Sequence, residues 1–159
     1  MIKFNNKKAK MKAHTFKVSL FYSKRIYRQI ACLGNQSLDD LHEAIFSAFD
    51  RDDEHLYSFY FPTKPTKNIR LIRTSAQYSH PMALSGESYY EQHDASDVTI
   101  ESLDLFEKQK FYYLFDYGDQ WWHEITYEGI NDCTAKKYPA ILLKKGKSPE
   151  QYPEDDEYE

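Results

Sequence analysis

Glycine and proline are both scarce in this chain, at five and six residues out of 159. That excludes a collagen-like or low-complexity chain, which needs these residues in quantity. Only two cysteines occur, Cys32 and Cys133, far apart and in no CxxC motif. They make no zinc-ribbon pattern, and two such thiols suit a reducing cytosol better than a disulfide-built secreted domain. No apolar run reaches the length of a membrane span, and no apolar leader-like stretch is present. The expectation is a cytoplasmic protein with no membrane partner. The common reaction signatures are missing too: there is no P-loop, GxGxxG, GxSxG or HExxH. A net charge of -4 excludes the global basic field that a nucleic-acid binder usually carries.

What the chain has in surplus is aromatic residues, 16% of the total, with 14 Tyr and 10 Phe. Rings of this kind favour strands, where they lie against a pleated surface. The length suits one domain with a real core. Charge is unevenly placed. Residues 1–13 carry five lysines and no acid, and residues 150–159 carry six acids and no base. These segments read as a basic N-terminal arm (1–13) and an acidic, disordered tail (148–159), with a single α+β domain between them at 14–147. The arm is the feature that could meet phosphate.

Hydrophobic periodicity places the elements. Phe16, Val18 and Leu20 alternate with Lys17 and Ser19, which predicts a half-buried strand over 14–22. A second strand follows over 25–33, with Ile26, Arg28 and Ile30 on one side. Ser37 then reads as an N-cap with Asp39 and Asp40 in the first turn. Leu38, Leu41, Ala44, Ile45, Ala48 and Phe49 share one face of a helix over 37–49, with His42 beside that face. The acidic run Asp50-Arg51-Asp52-Asp53-Glu54 lacks the glycine of a calcium loop and reads as a solvated helix exit. Residues 55–61 predict a third strand, ended by Pro62 and Pro65. Residues 63–96 carry little pattern; Ile69–Arg73 reads as a short strand within a long loop. Ile100, Leu103 and Phe106 lean helical by their spacing. Ala140 to Leu143 suits a last strand.

The richest stretch is 111–125, which holds both tryptophans. It reads as a hairpin whose turn decides which side chains share a face. A three-residue loop at Asp116-Tyr117-Gly118, with glycine in the left-handed position, groups Phe111, Tyr113, Phe115, Trp121, His123 and Ile125 on one face. The other face then carries Tyr112, Leu114, Gln120, Trp122 and Glu124. The first face is coherently apolar, and register follows such a face. Two readings of the second face stand open: Tyr112 and Trp122 form an exposed aromatic surface, or both sides of the sheet are covered.

The polar candidates are dispersed: His42 on the helix, His55 at the start of the third strand, and Asp116, Asp119 and His123 on the hairpin. If helix and hairpin meet, imidazoles and carboxylates could converge to hold a divalent metal such as Zn, Mn or Fe, or act as general acid and base. The competing readings are a hydrogen-bonded core histidine at His123 and turn capping by Asp116 and Asp119.

Three segments together resemble the plasmid pRiA4b ORF-three-like family. These are the L-x-x-L-H-x-x-I helix from Leu38 to Ile45, the H-L-x-x-F strand from His55 to Phe59, and the Y-D-F-G-D-x-W-x-H hairpin ending at His123, with Tyr117 in place of the usual Phe. Tyr138-Pro139 resembles the family's later Y-P step. The family's Cys- and Gly-rich P-P-E-D-C-G-G segment is replaced here by Ser148-Pro149-Glu150-Gln151-Tyr152-Pro153. The resemblance implies a compact α+β domain of plasmid, mobile-element and bacterial genomic contexts, and no particular reaction. Its shared polar positions fall on His42, His55, Asp116, Asp119 and His123. Taken together, the sequence predicts a mainly antiparallel sheet with one principal helix packed on it. Three functions follow: a non-catalytic binding module for a protein or nucleic acid partner, a metal-dependent, hydrolase-like enzyme using the His/Asp cluster, or a structural or regulatory subunit of a larger assembly.

Overall fold

The computed structural model describes residues 10–153. The elements run β1 (Met11–Leu20), β2 (Ser23–Cys32), α1 (Leu38–Ala48), β3 (Tyr57–Phe61), α2 (Ile69–Arg73), β4 (Ala76–Ser79), β5 (Gln92–Asp94), β6 (Lys110–Phe115), β7 (Trp121–Cys133) and β8 (Ala140–Lys145). Short 3-10 turns lie at Pro81–Ala83, Ala95–Asp97 and Glu101–Leu103. The strands form one sheet in the order β5-β4-β3-β6-β7-β1-β2-β8, antiparallel throughout except where β5 runs parallel to β4. This is the expected α+β architecture.

Helix α1 starts where the sequence places it. The Ser37 hydroxyl accepts the Asp40 N–H, and the Asp40 carboxylate accepts the Ser37 N–H, a reciprocal capping box. Its apolar face (Leu38, Leu41, Ala44, Ile45 and Ala48) is buried on the sheet against Phe16, Val18, Tyr57, Phe59, Tyr113 and Phe115. Each large side chain so buried contributes roughly 1.5–3 kcal/mol. Arg28 lies on the same side and is 2% exposed. It donates to the Ala48 carbonyl at the end of α1 and to the carbonyls of Lys145 and Gly146, tying helix, β2 and β8 together. A cation at a helix C-terminus also suits the helix dipole.

The second face of the sheet is covered too, which removes the candidate aromatic surface. Tyr112 and Trp122 are buried with Tyr60 and Leu114 beneath Ile72 of α2 and Phe21. The covering element is the segment expected to be a strand. Asn68 caps it as a helix by accepting the Arg70 and Leu71 N–H groups, and its apolar residues Ile69 and Ile72 then face the sheet. The unpatterned stretch 63–96 therefore holds α2, β4 and β5 rather than one long loop.

Both expected terminal boundaries move. β1 begins at Met11, so part of the expected basic arm is strand; residues 1–9 lie outside the described residues. The expected disordered tail is held as far as Tyr152. The Ser148 hydroxyl donates to the Phe49 carbonyl, and the Gln151 side chain accepts from Asp52 N and Asp53 N and donates to Asp53 O. Residues 154–159 lie outside the described residues. Gly146, between β8 and this strap, has φ +80°, and a Cβ there would sit 3.0 Å from Ile26 Cγ1 and 3.2 Å from the Ile26 backbone. Gly146→Ala is expected to cost about 1–3 kcal/mol, read as a lowered urea midpoint with an unchanged m-value.

Candidate functional site

The hairpin sets the geometry. Tyr113 pairs with His123, Leu114 with Trp122 and Phe115 with Trp121, so the face parity expected from the apolar pattern is the one found. The loop differs. It is five residues long, 116–120, and the left-handed positions are Asp116 (φ 63°) and Gln120 (φ 54°) rather than Gly118. Asp116 tolerates that conformation because its Oδ1 accepts the Gly118 and Asp119 N–H groups.

The five predicted polar residues do not converge. His42 and His123 both lie on the helix side of the sheet, but each is against the ring of Tyr113, at centroid distances of 5.9 and 5.1 Å. His123 is fully buried. Its Nδ1–H donates to the Tyr113 carbonyl and its Nε2 accepts from Arg51 Nη2 at 3.1 Å. Burial and the neighbouring Arg51 charge hold it well below the usual imidazole range, hence neutral. Arg51 lies among Phe49, Phe115 and Trp121, with its Cζ 5.0–5.5 Å from the three rings. Its pKa is lowered to about 10 by burial, so it stays charged. His55 contacts the Tyr152 hydroxyl at 2.8 Å and Asp116 Oδ2 at 3.5 Å. Asp119 sits at the exposed hairpin tip. Asp116 and His123 thus follow their structural readings, turn capping and a core hydrogen bond.

A different cluster forms around His42. His42 Nε2 lies 3.1 Å from Glu54 Oε2, and ligand atoms of His42, Glu43 and Glu54 all lie within 4.8 Å of one another. They line an open cleft of about 530 Å³ with Asp39, His55, His80 and Met82. His42 is stacked on Tyr57 at 3.8 Å, and its Nδ1 meets the Tyr113 hydroxyl at 2.6 Å. Burial, helped by His80 and Arg51, lowers its pKa to about 3. The contact with Glu54 has the distance of an ion pair, yet the ring is neutral: burial outweighs the carboxylate. Burial raises the buried Tyr113 phenol well above its usual range, so Tyr113 keeps its proton and donates to Nδ1. His42 Nε2–H then donates to Glu54. Glu43 and Glu54 are both raised, first by burial and then by surrounding carboxylates that include Asp39. Tyr57 donates its hydroxyl to Asp39 and so fixes that carboxylate on the rim.

Glu43 and Glu54 are the members sequence reasoning missed. The available signal was the doublets His42-Glu43 and Glu54-His55, each setting a carboxylate next to a candidate imidazole. The loop that carries Glu54 is anchored by Gln151, so its place depends on a residue almost a hundred positions away.

Comparison with known proteins agrees with this fold. No curated protein matches the chain. A crystal structure of a protein of unknown function from Methanosarcina mazei Go1 superposes with a TM-score of 0.65 at 21% identity, over 88% of this chain and 72% of that one. At that identity the likeness speaks for the fold alone. No described helix is long and apolar enough to cross a membrane. The family model described as plasmid pRiA4b ORF-3-like protein matches residues 12–156, nearly the whole chain and all three motifs quoted above, and the chain belongs to that family.

Proposed function

We propose that the cleft over α1 binds a divalent transition metal through His42 Nε2, Glu43 and Glu54, and that the domain is a metal-dependent enzyme of hydrolytic type. The observation that carries this reading is the closeness of one imidazole nitrogen and two carboxylates in an open cleft. Mixed nitrogen and oxygen donors suit Zn, Mn or Fe. Three protein ligands leave coordination positions for water, and a metal so held lowers the pKa of bound water. Tyr113 supplies the support that metal-bound histidines require at their second nitrogen. His80, on the same cleft, accepts the Met82 N–H at Nδ1, which leaves its Nε2 for proton transfer to or from a substrate. A metal at Nε2 requires the His42 tautomer with its proton on Nδ1, where that N–H donates to the Tyr113 oxygen at the same 2.6 Å contact.

Titration of the metal-stripped protein with zinc and manganese, followed by calorimetry in buffers of different ionisation enthalpy, tests this. Saturable binding at one site is expected. Glu54→Gln, on a half-exposed side chain, is expected to weaken binding about 10-fold or more with an unchanged fold. Binding that Glu54→Gln and Glu43→Gln leave unaltered overturns the reading.

A further inference from the structure

Among the described residues the sheet ends at β8, which pairs with β2 along one side and closes the strand order. Its side chains are unusual for an edge. Ile141, Leu142 and Leu143 follow one another and are 37%, 42% and 43% exposed. Ile141 lies opposite Ile30 and Leu143 opposite Gln29, with Leu142 as the extra residue of a bulge, so Ile141 and Leu143 point to opposite faces and both faces of β8 are exposed among the described residues. Five exposed lysines surround the three apolar residues: Lys136, Lys137, Lys144, Lys145 and Lys147. No acid occurs from residue 134 to 147.

Lysines on an edge discourage pairing with an identical strand, because like charges would be set against each other. They do not discourage a strand of opposite charge. We propose that β8 is a docking edge for an extended acidic segment of a partner protein, with apolar residues at alternate positions, added to the sheet as a further strand. Main-chain hydrogen bonds along the edge supply affinity, contacts with Ile141 on one face and Leu143 on the other set the register, and the lysines select for acid. A nucleic-acid backbone would use the lysines alone and leave both the apolar side chains and the strand edge unused. An anionic membrane surface would leave the edge unused as well. The proposal is independent of the metal cleft, which lies over α1 and β3.

The test uses the full chain and a fluorescent peptide of alternating glutamate and valine. Three controls accompany it: the same peptide with lysine for glutamate, the glutamate peptide N-methylated at alternate residues, and oligothymidylate and phosphatidylglycerol vesicles as competing anions. Expected are saturable binding of the glutamate peptide, weakening as salt rises, and a loss of about 10-fold or more both on N-methylation and in the Lys144→Glu/Lys145→Glu variant. Circular dichroism and the urea midpoint establish that the variant is folded. Equal binding of the N-methylated or lysine peptide overturns the proposal. So does stronger capture by oligothymidylate or vesicles, or self-association through β8 that the glutamate peptide does not reverse.

Discussion

Tyr113→Ala is expected to remove about 3–5 kcal/mol of stability, and Tyr113→Phe about 1–3 kcal/mol. The ring is fully buried at the centre of the sheet, packed on Phe59 at 4.8 Å and between His42 and His123. Truncation to alanine leaves a cavity lined by neighbours that β3, β6 and β7 hold in place, so it closes poorly. The phenylalanine variant keeps that packing and deletes one atom, the hydroxyl that donates to His42 Nδ1. The imidazole then has a buried nitrogen with no partner, which carries the cost. His123 keeps its hydrogen bond in both variants because it is bonded to the main-chain carbonyl of Tyr113. Urea unfolding at fixed pH separates the two effects. If the His42 cleft holds a metal, Tyr113→Phe also lowers zinc affinity about 10- to 100-fold, because the ring loses its orienting partner. A phenylalanine variant as stable as the parent would show that the 2.6 Å contact contributes nothing.

Stability is expected to fall as pH drops from about 6.5 toward 3. His42 is neutral in the fold with its pKa near 3, while the unfolded chain has an ordinary imidazole near 6.5. Between those values the unfolded state binds more protons, so unfolding gains ground with every step toward acid. At about 1.4 kcal/mol per unit, His42 alone removes on the order of 3 kcal/mol between pH 7 and pH 4. His123 acts in the same direction, since charging it would set a second cation beside Arg51 in the core. Glu43 and Glu54 act oppositely. Their raised folded pKa values favour the folded state as pH falls through the window just above 4.5, and their exposure keeps that contribution small. Urea midpoints measured at pH 7, 5.5 and 4 should therefore decline. A midpoint that holds or rises toward pH 4 would mean that neither imidazole is kept neutral by the fold.

Much of the architecture is local and could be read from the order of residues. Apolar residues at helical spacing after Ser37 specify α1, because the capping box and the buried face agree. Alternation specifies β1, β2 and β3 for the same reason. The face parity of the hairpin was legible although its turn was not: apolar burial sets which side chains share a face, and a five-residue loop with Asp116 left-handed satisfies that parity without using Gly118. Ile69–Arg73 was misread because five residues are too few to separate the two periods, and the Asn68 cap was the deciding signal. The exposure of Tyr112 and Trp122 could not be read at all, since it depends on where α2 lands.

The sequence by itself determined a helix with His42 at the margin of its buried face, and a hairpin with His123 on its apolar face. It also determined a basic, apolar stretch from 134 to 147. Only the tertiary structure decided which of these meet. Tyr113 stands between the two histidines and keeps them apart. The loop after α1, pinned by Gln151 from the far end of the chain, delivers Glu54 to His42. Convergence of that kind rests on contacts between residues distant in sequence, and no spacing or periodicity within a single element encodes them.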